Sequence, residues 1–335
     1  MPANTGLVAG DADCYAAFSD LFHPVIEARH FGWNAVQQQH ETNLEPAGVL
    51  DRPVFRPRDP DSDAPVYIRS VRVRSAVSAC AEPPPRLDSQ ARLRQIACVL
   101  QRSIAGFRFP PAIEAIERRE VERVSAAALL SLEGDLRGSY YPLPGSLSYA
   151  EMPEGTPQED VDRLRASGYL FEPPTSSTVR SSGMDRNWPD ARGVFCSDAV
   201  PGQGALLVWV NEEDHLRLMA LERGPDLRAA FERFSAAANG LEKALLQEGH
   251  CFARTENLGY LLTCPSNLGT GLRVSVSTSL PGVSMLPRFK EVINTLKLAF
   301  RPGGRSGLFD LSNLERLGKT EVELVRTQMQ SPATT

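Results

Sequence analysis

The sequence predicts an α+β chain, with a small helical N-terminal piece and a larger domain built on an antiparallel sheet flanked by helices. Three observations carry this. An apolar helical repeat near the N-terminus gives way to a Pro- and Asp-rich stretch without periodicity. Beyond residue 205, short apolar or alternating runs are joined by turns, the pattern of hairpins and not of βαβ units. The chain has 335 residues, 42% hydrophobic and 23% charged, enough for two domains with a sizeable core.

Each element has its own signal. Tyr15, Phe18, Leu21, Phe22, Val25 and Ile26 recur at helical spacing, so Gly10 to His30 reads as one helix, with Asp11 or Asp13 at its start. Residues 1–45 are too short to hold a core alone and must dock; 46–65 read as linker and 66–330 as the larger domain. Within it, Ala76 to Gln101 carries Pro83-Pro84-Pro85 and several arginines and reads as irregular. Glu114 to Leu132 reads as a helix. Leu206–Val210 and Leu216–Leu221 flank the turn Asn211-Glu212-Glu213-Asp214 as a hairpin. Pro225-Asp226 opens a long helix that Gly249 stops. Tyr260–Thr263 reads as a strand. Leu272 to Leu280 alternates, with Leu272, Val274 and Val276 on one face and Arg273, Ser275 and Ser277 on the other. Pro287 to Leu298 reads as a short helix, and Thr320 with Glu323 forms a capping box for a last one.

Composition bounds the partners. Lys plus Arg is 36 and Asp plus Glu 41, a net charge of −5, so no nucleic-acid partner is expected. No apolar run reaches the roughly 18 residues of a membrane span, so no membrane is expected either. No secretory leader is visible and the six cysteines are scattered without zinc spacing, which points to reduced thiols in the cytoplasm; an upstream targeting segment stays open.

Four features could carry chemistry. Glu212-Glu213-Asp214 places three carboxylates at a strand end, where mutual repulsion raises the proton affinity of at least one; alone, such a run is usually a solvated turn. Cys264 precedes a polar, Gly-bearing loop that includes Ser266 and could favour a thiolate, against the blander reading of a buried inert thiol. Arg72, Arg74, Arg102, Arg217, Arg273 and Arg301 form a dispersed set whose forks suit phosphate oxygens, although any single one is more often a surface residue. Gly303-Gly304 would let backbone approach an anion, a weak signal alone.

Three blocks then converge. Asn187-Trp188-Pro189-Asp190-Ala191-Arg192-Gly193, Val208-Trp209-Val210-Asn211-Glu212-Glu213-Asp214-His215-Leu216-Arg217 and Thr263-Cys264-Pro265-Ser266-Asn267-Leu268-Gly269-Thr270-Gly271-Leu272-Arg273 resemble the guanidino (phosphagen) kinase family, closest to its creatine kinase branch. The likeness covers roughly 4–35, 66–75 and 102–328. It implies a partial helical N-terminal domain and a glutamine-synthetase-like catalytic domain. The implied reaction is reversible transfer of the ATP γ-phosphoryl group to a guanidino substrate, with creatine expected and ATP/ADP with Mg2+ as cofactors. Glu213 then matches the catalytic base and Glu212 its neighbour. Cys264 matches the cysteine that contacts the guanidino group, supported by Ser266. Ser70, Arg72, Val73, Arg74, Arg217, Arg273, Arg301, Gly303, Gly304 and Asp310 match the nucleotide site, and Val8 the substrate-selecting loop. No dedicated metal cage is expected. A homodimer is compatible with the family.

The sequence also departs from the family. It starts well inside the family's N-terminal domain. The stretch that reads Arg-Val-Arg-Thr-Gly-Arg-Ser in the family is split here, with Arg72-Val73-Arg74-Ser75 separated from Arg102-Ser103 by Ala76–Gln101. The loop after Gly303-Gly304 is shortened, and Gly168, Ser277 and Phe195 replace two histidines and a tryptophan. The insert begins near Val77-Ser78 and ends at Leu100-Gln101, as a translated intron would. The alternative reading is therefore a catalytically impaired relative that binds nucleotide or a protein partner. A cysteine hydrolase using Cys264 lacks a positioned histidine.

Overall fold

The computed structural model describes residues 5–49, 95–198, 204–223, 226–279, 289–295, 297–302 and 308–330. The chain opens with helices α1 (Cys14–Ala17) and α2 (Ser19–Arg29). The expected single helix from Gly10 starts later because Ala9 and Gly10 bond elsewhere: Ala9 N–H donates to Thr263 O and Gly10 O accepts from Phe109 N. Asp11 does act at its start, accepting from Cys14 N at 2.9 Å. The helix is also broken at Phe18, whose φ of −118° and ψ of 37° leave the helical region.

The larger part is an eight-stranded antiparallel sheet. Its strands are β1 (Gln95–Arg102), β2 (Gly138–Pro142), β3 (Gly193–Ser197), β4 (Ala205–Val210), β5 (Leu216–Arg223), β8 (Leu272–Ser279), β9 (Leu298–Pro302) and β10 (Leu308–Asn313). They lie in the order β2-β3-β4-β5-β1-β8-β10-β9, and every pairing is antiparallel. A two-stranded ribbon, β6 (Arg254–Thr255) with β7 (Gly259–Tyr260), stands apart. The expected strand over Tyr260–Thr263 ends at Tyr260, since Thr263 N finds the Asp214 carboxylate instead of a ladder partner. The stretch expected to be irregular up to Gln101 instead ends in β1, a strand at the middle of the sheet. Its Cys98 and Leu100 are fully buried on the helical face, which is what an apolar alternating run between two strands achieves.

That helical face is covered by α3 (Ala115–Leu130), α6 (Leu227–Gln247) and α8 (Glu321–Gln330). Asp226 caps α6 by accepting from Ala229 N at 2.9 Å, a contact of about 1 kcal/mol. Helix α6 drives Phe231 and Phe234 into the sheet, each stabilising by about 1.5–3 kcal/mol. The Thr320–Glu323 box forms as expected, with Thr320 N donating to the Glu323 carboxylate and Glu323 N to the Thr320 hydroxyl. On the other face, α4 (Gln158–Ala166) and the chain after it bring Leu164 and Phe171 onto Val99, Leu207 and Met219. Two short helices, α5 (Ser177–Ser181) and α7 (Phe289–Thr295), complete the fold.

The N-terminal segment docks through its own cluster. Ala9, Tyr15, Phe22, Ile26 and Trp33 pack against Phe109, Leu258, Leu261, Leu268 and Leu317. The Tyr15 hydroxyl donates to Leu262 O at 2.6 Å. Residues 5–10 are thereby held beside Thr263 and Cys264.

Candidate active site

The β4–β5 turn builds the acidic part of the site. Asn211 takes a φ of +58°, a conformation asparagine tolerates. Its side-chain amide donates to Arg118 O and Ala191 O, which fixes the turn to α3 and to the loop before β3. Asp214 points inward, fully buried, and accepts from Thr263 N at 2.7 Å, tying the turn to the Cys264 loop. Glu212 and Glu213 stay partly exposed. Arg217, one strand position into β5, grips both: Nη1 lies 3.0 Å from Glu212 and Nη2 donates to Glu213 at 2.9 Å. Gln101 of β1 donates to the same Glu213 oxygen at 3.2 Å.

Burial pushes the Glu212 carboxyl up; Arg217 pulls against it and Glu213 adds to the rise. Asp214 is pushed up to about 7, by burial first and by Glu213 second. Burial works against the Arg217 charge, but Glu212, Glu213 and Asp214 together outweigh it and hold Arg217 above its ordinary value.

Cys264 stands at the head of a one-turn 3-10 segment, Pro265–Asn267. Its sulfur lies 3.0 Å from the Ser266 hydroxyl and 3.4 Å from the Thr5 hydroxyl. The thiolate that the polar loop suggested is not what this arrangement favours: burial, and then the Glu213 charge, raise the Cys264 pKa, and the two hydroxyls only partly offset them. Val8 is half-buried in the segment that bonds Thr263, beside Cys264. Gly271, with φ +61°, closes the loop where an added Cβ would stand 2.7 Å from Gln101 O.

The cationic part lies on the same sheet face. Arg217 and Gln101 are cross-strand partners, as are Val99 and Arg273, and Asp310 and Arg301. Arg273 is lowered to about 10, by burial and then by Arg301 and Arg316, with Asp310 opposing. Arg316 was not singled out by the sequence, because nothing distinguishes it there from the other basic residues. It lies in the loop after β10 and donates to Ser266 O at 2.7 Å, within the field of Cys264 and Glu213. The Nε atoms of Arg273 and Arg316 are buried without a hydrogen-bond partner, cationic donors of the kind a phosphate oxygen satisfies. Gln101, Thr5 and Arg316 are thus site neighbours that residue-type reasoning missed.

Arg102, one of the dispersed arginines, has a different place. It is almost fully buried, with Nη1 donating to Gln101 O and Thr270 O and its guanidinium over the Tyr260 ring. It anchors the core and does not face the site. Ser70, Arg72, Val73, Arg74, Gly303 and Gly304 lie outside the described residues. Among the described residues no cluster of three or more His, Cys, Asp or Glu could hold a metal, and no helix is long and apolar enough to cross a membrane.

The carboxylate pair that grips Arg217, the Cys264 thiol and the arginine forks thus gather about one face of the sheet. The family profile described as ATP:guanido phosphotransferase, C-terminal catalytic domain, matches residues 120–332. The chain belongs to the guanidino phosphotransferase family. The profile of that family's N-terminal domain matches residues 2–27, a partial domain. The guanidino kinase chain is 39% identical to creatine kinase M-type of Gallus gallus over 327 residues, which cover 96% of this chain and 73% of that protein. Its fold is similar to the crystal structure of lombricine kinase, with a TM-score of 0.79, 32% identity, and coverage of 98% of this chain and 79% of the other. It is also similar to the substrate-free duplicated taurocyamine kinase from Schistosoma mansoni, with a TM-score of 0.74, 28% identity, and coverage of 97% and 40%.

Proposed function

We propose that this guanidino kinase transfers the γ-phosphoryl group of ATP reversibly to creatine. The observation that carries the reading is Arg217 in the grip of Glu212 and Glu213: the acidic turn already holds a guanidinium, the group every substrate of the class presents. Bound MgATP supplies the phosphoryl donor, with the magnesium held by the phosphates and water.

Glu213 and Glu212 orient the cationic acceptor, and Glu213 accepts the proton that leaves its nucleophilic nitrogen. Cys264 packs against the acceptor, its thiol placed by Ser266 and Thr5. Val8 and its neighbours bound the acceptor on the side of the docked N-terminal segment. Arg217, Arg273 and Arg301, with Arg316, neutralise phosphoryl charge as it moves, and Asp310 stands opposite Arg301 on the paired strands and offsets part of the positive field at Arg273. Ser70, Arg72, Val73, Arg74, Gly303 and Gly304 would complete the nucleotide side. A homodimer in the cytoplasm is the proposed setting.

A coupled ATP/ADP assay with creatine, lombricine, taurocyamine and arginine tests this. Creatine turning over fastest supports the reading; another acceptor winning keeps the reaction and rejects the substrate. The second reading, an impaired relative that binds nucleotide, is favoured by one observation: β1 is built from residues 95–102 and brings no arginine to the site face. ATP binding without turnover of any acceptor supports it.

A further inference from the structure

The carboxylate pair follows Asn211 directly in the chain, so whatever sets that residue sets the pair. Asn211 is almost fully buried at a φ of +58°. Its amide directs both protons to backbone carbonyls, Arg118 O at 3.1 Å and Ala191 O at 2.8 Å. Its Oδ1 is buried without a hydrogen-bond partner, so those two bonds orient the side chain. The reverse orientation would set Oδ1 against two carbonyl oxygens, which can only accept.

Both carbonyls lead back to α3. Arg118 belongs to that helix. Ala191 does not: it lies in the loop before β3, fully buried, with a φ of +55°. A left-handed backbone on a residue with a Cβ persists where its surroundings hold it. Here the Ala191 N–H donates to the Ser148 hydroxyl at 2.9 Å. Ser148, half-buried in the loop between β2 and α4, donates in turn to the Glu122 carboxylate at 2.6 Å. Glu122 stands one helical turn after Arg118 in α3. With its proton on the carboxylate, Ser148 has only acceptor capacity left, so the Ser146 hydroxyl, 3.1 Å away, is the donor of that pair. Tyr140 donates to the other Glu122 oxygen at 2.8 Å. The direction of every bond is thereby fixed from Glu122 through Ser148 and Ala191 to Asn211.

We propose that Ser148 is a positioning residue for the acceptor side of the site: held by Glu122, it sets Ala191, whose carbonyl sets Asn211 and with it Glu212 and Glu213. What the pair holds, a cationic guanidino acceptor, rests on the kinase reading. Neither Arg273 nor Arg316 draws a contact from this chain of bonds, so loss of the Ser148 hydroxyl acts on the acceptor and not on the nucleotide.

The test compares the unaltered protein with Ser148→Ala, Ser148→Thr and Tyr140→Phe. Tyr140→Phe removes the other hydroxyl from the same carboxylate and lies off the path to Ala191, so it controls for a general loosening of α3. Hydrogen–deuterium exchange reads the amides of 211–215, steady-state kinetics read the acceptor and calorimetry reads ATP. In Ser148→Ala, exchange over 211–215 should be severalfold faster and acceptor kcat/KM lower by about 10- to 100-fold, the cost of misplacing a binding group. The Kd for ATP should not change. Ser148→Thr, which keeps the hydroxyl, should restore both, and Tyr140→Phe should alter neither. Folded Ser148→Ala with unchanged exchange over 211–215 overturns the proposal, as does an equal change in Tyr140→Phe. If Ser148→Ala does not fold, Ser148→Cys decides by the same comparison, since a thiol keeps the shape and accepts weakly. If the unaltered protein phosphorylates no acceptor, the kinase reading falls and the exchange comparison alone decides the role of Ser148; turnover with unchanged exchange in Ser148→Ala does the reverse.

Discussion

Arg217 and Glu213 form a charge-assisted hydrogen bond of 2.9 Å inside the site, on the same carboxylate oxygen that Gln101 reaches. The proposed base is therefore already engaged by a guanidinium from its own chain. In the proposed reaction an incoming acceptor would share or displace that contact.

Replacing Glu213 with Gln keeps the shape and the acceptor oxygen but removes the base. The expected loss is about 10²- to 10⁴-fold in kcat, the range for general-base removal. Thermal stability should change little, because Glu213 is partly exposed and Arg217 retains Glu212. Steady-state kinetics with a Tm measurement check this; an unchanged kcat would remove Glu213 from the proton step.

The Cys264 thiol should report on the same carboxylate. Burial and the Glu213 charge both hold its pKa up. Alkylation by iodoacetamide should be slow near pH 7 and rise with pH. In Glu213→Gln the negative neighbour is gone, so the thiol pKa falls and alkylation at pH 7.5 should speed up severalfold. A rate that is the same in both proteins would place Cys264 outside the reach of Glu213.

Much of this site was legible because its residues are adjacent in sequence. Glu212 and Glu213 share one turn with Arg217 four and five positions on, and Cys264 sits two residues from Ser266. The sheet positions were harder. The 95–101 strand carries Gln95 and Gln101 at its ends and follows a Pro-rich stretch, so its strand character comes from pairing with both β5 and β8, which only the fold supplies. Strands β2, β3, β9 and β10 were likewise missed: each is five or six residues long and, unlike Leu206–Val210, is interrupted by Gly, Pro or polar residues instead of running apolar throughout. Arg102 was misplaced for the opposite reason: its residue type suggests phosphate, while two backbone carbonyls and an aromatic ring bury it.

Three buried histidines should make the fold acid-sensitive. His30, His40 and His215 are each lowered to about 4, first by burial, against an ordinary value of 6.5. They are neutral when folded, so the unfolded chain binds more protons between pH 6.5 and 4, and their contribution to stability falls as pH drops through that window. The buried carboxyls Asp214 and Glu212, raised instead, work in the opposite direction. His30→Gln isolates one group, since the Gln amide can donate to Pro265 O as the ring nitrogen does at 2.8 Å. The stability of the unaltered protein relative to this variant should be constant above pH 7 and fall by up to about 3 kcal/mol by pH 4. Denaturant titrations at a series of pH values read it, and parallel curves would show His30 to be accessible to protons in the fold.

The deepest charge pair tests what anchors the N-terminal segment to the sheet. Arg102 Nη2 lies 3.8 Å from Glu321 Oε1, and both side chains are buried. At that distance neither atom completes a hydrogen bond, and burial lowers the arginine and raises the glutamate. The strong contacts are elsewhere. Arg102 donates to Gln101 O at 2.8 Å and Thr270 O at 2.7 Å, and Glu321 accepts from Asn43 N at 2.8 Å. Arg102→Ala leaves two buried carbonyls and a buried carboxyl without their partner, and should cost about 3–5 kcal/mol. Glu321→Gln keeps an acceptor for Asn43 and leaves Arg102 its two carbonyls and the Tyr260 face, so it should cost clearly less, about 1–2 kcal/mol. Chemical denaturation of both single variants and the double variant separates the terms. If Glu321→Gln costs as much as Arg102→Ala, the ion pair and not the carbonyl bonds holds β1 in register, and the strand that divides Arg217 from Arg273 is fixed by electrostatics across the core.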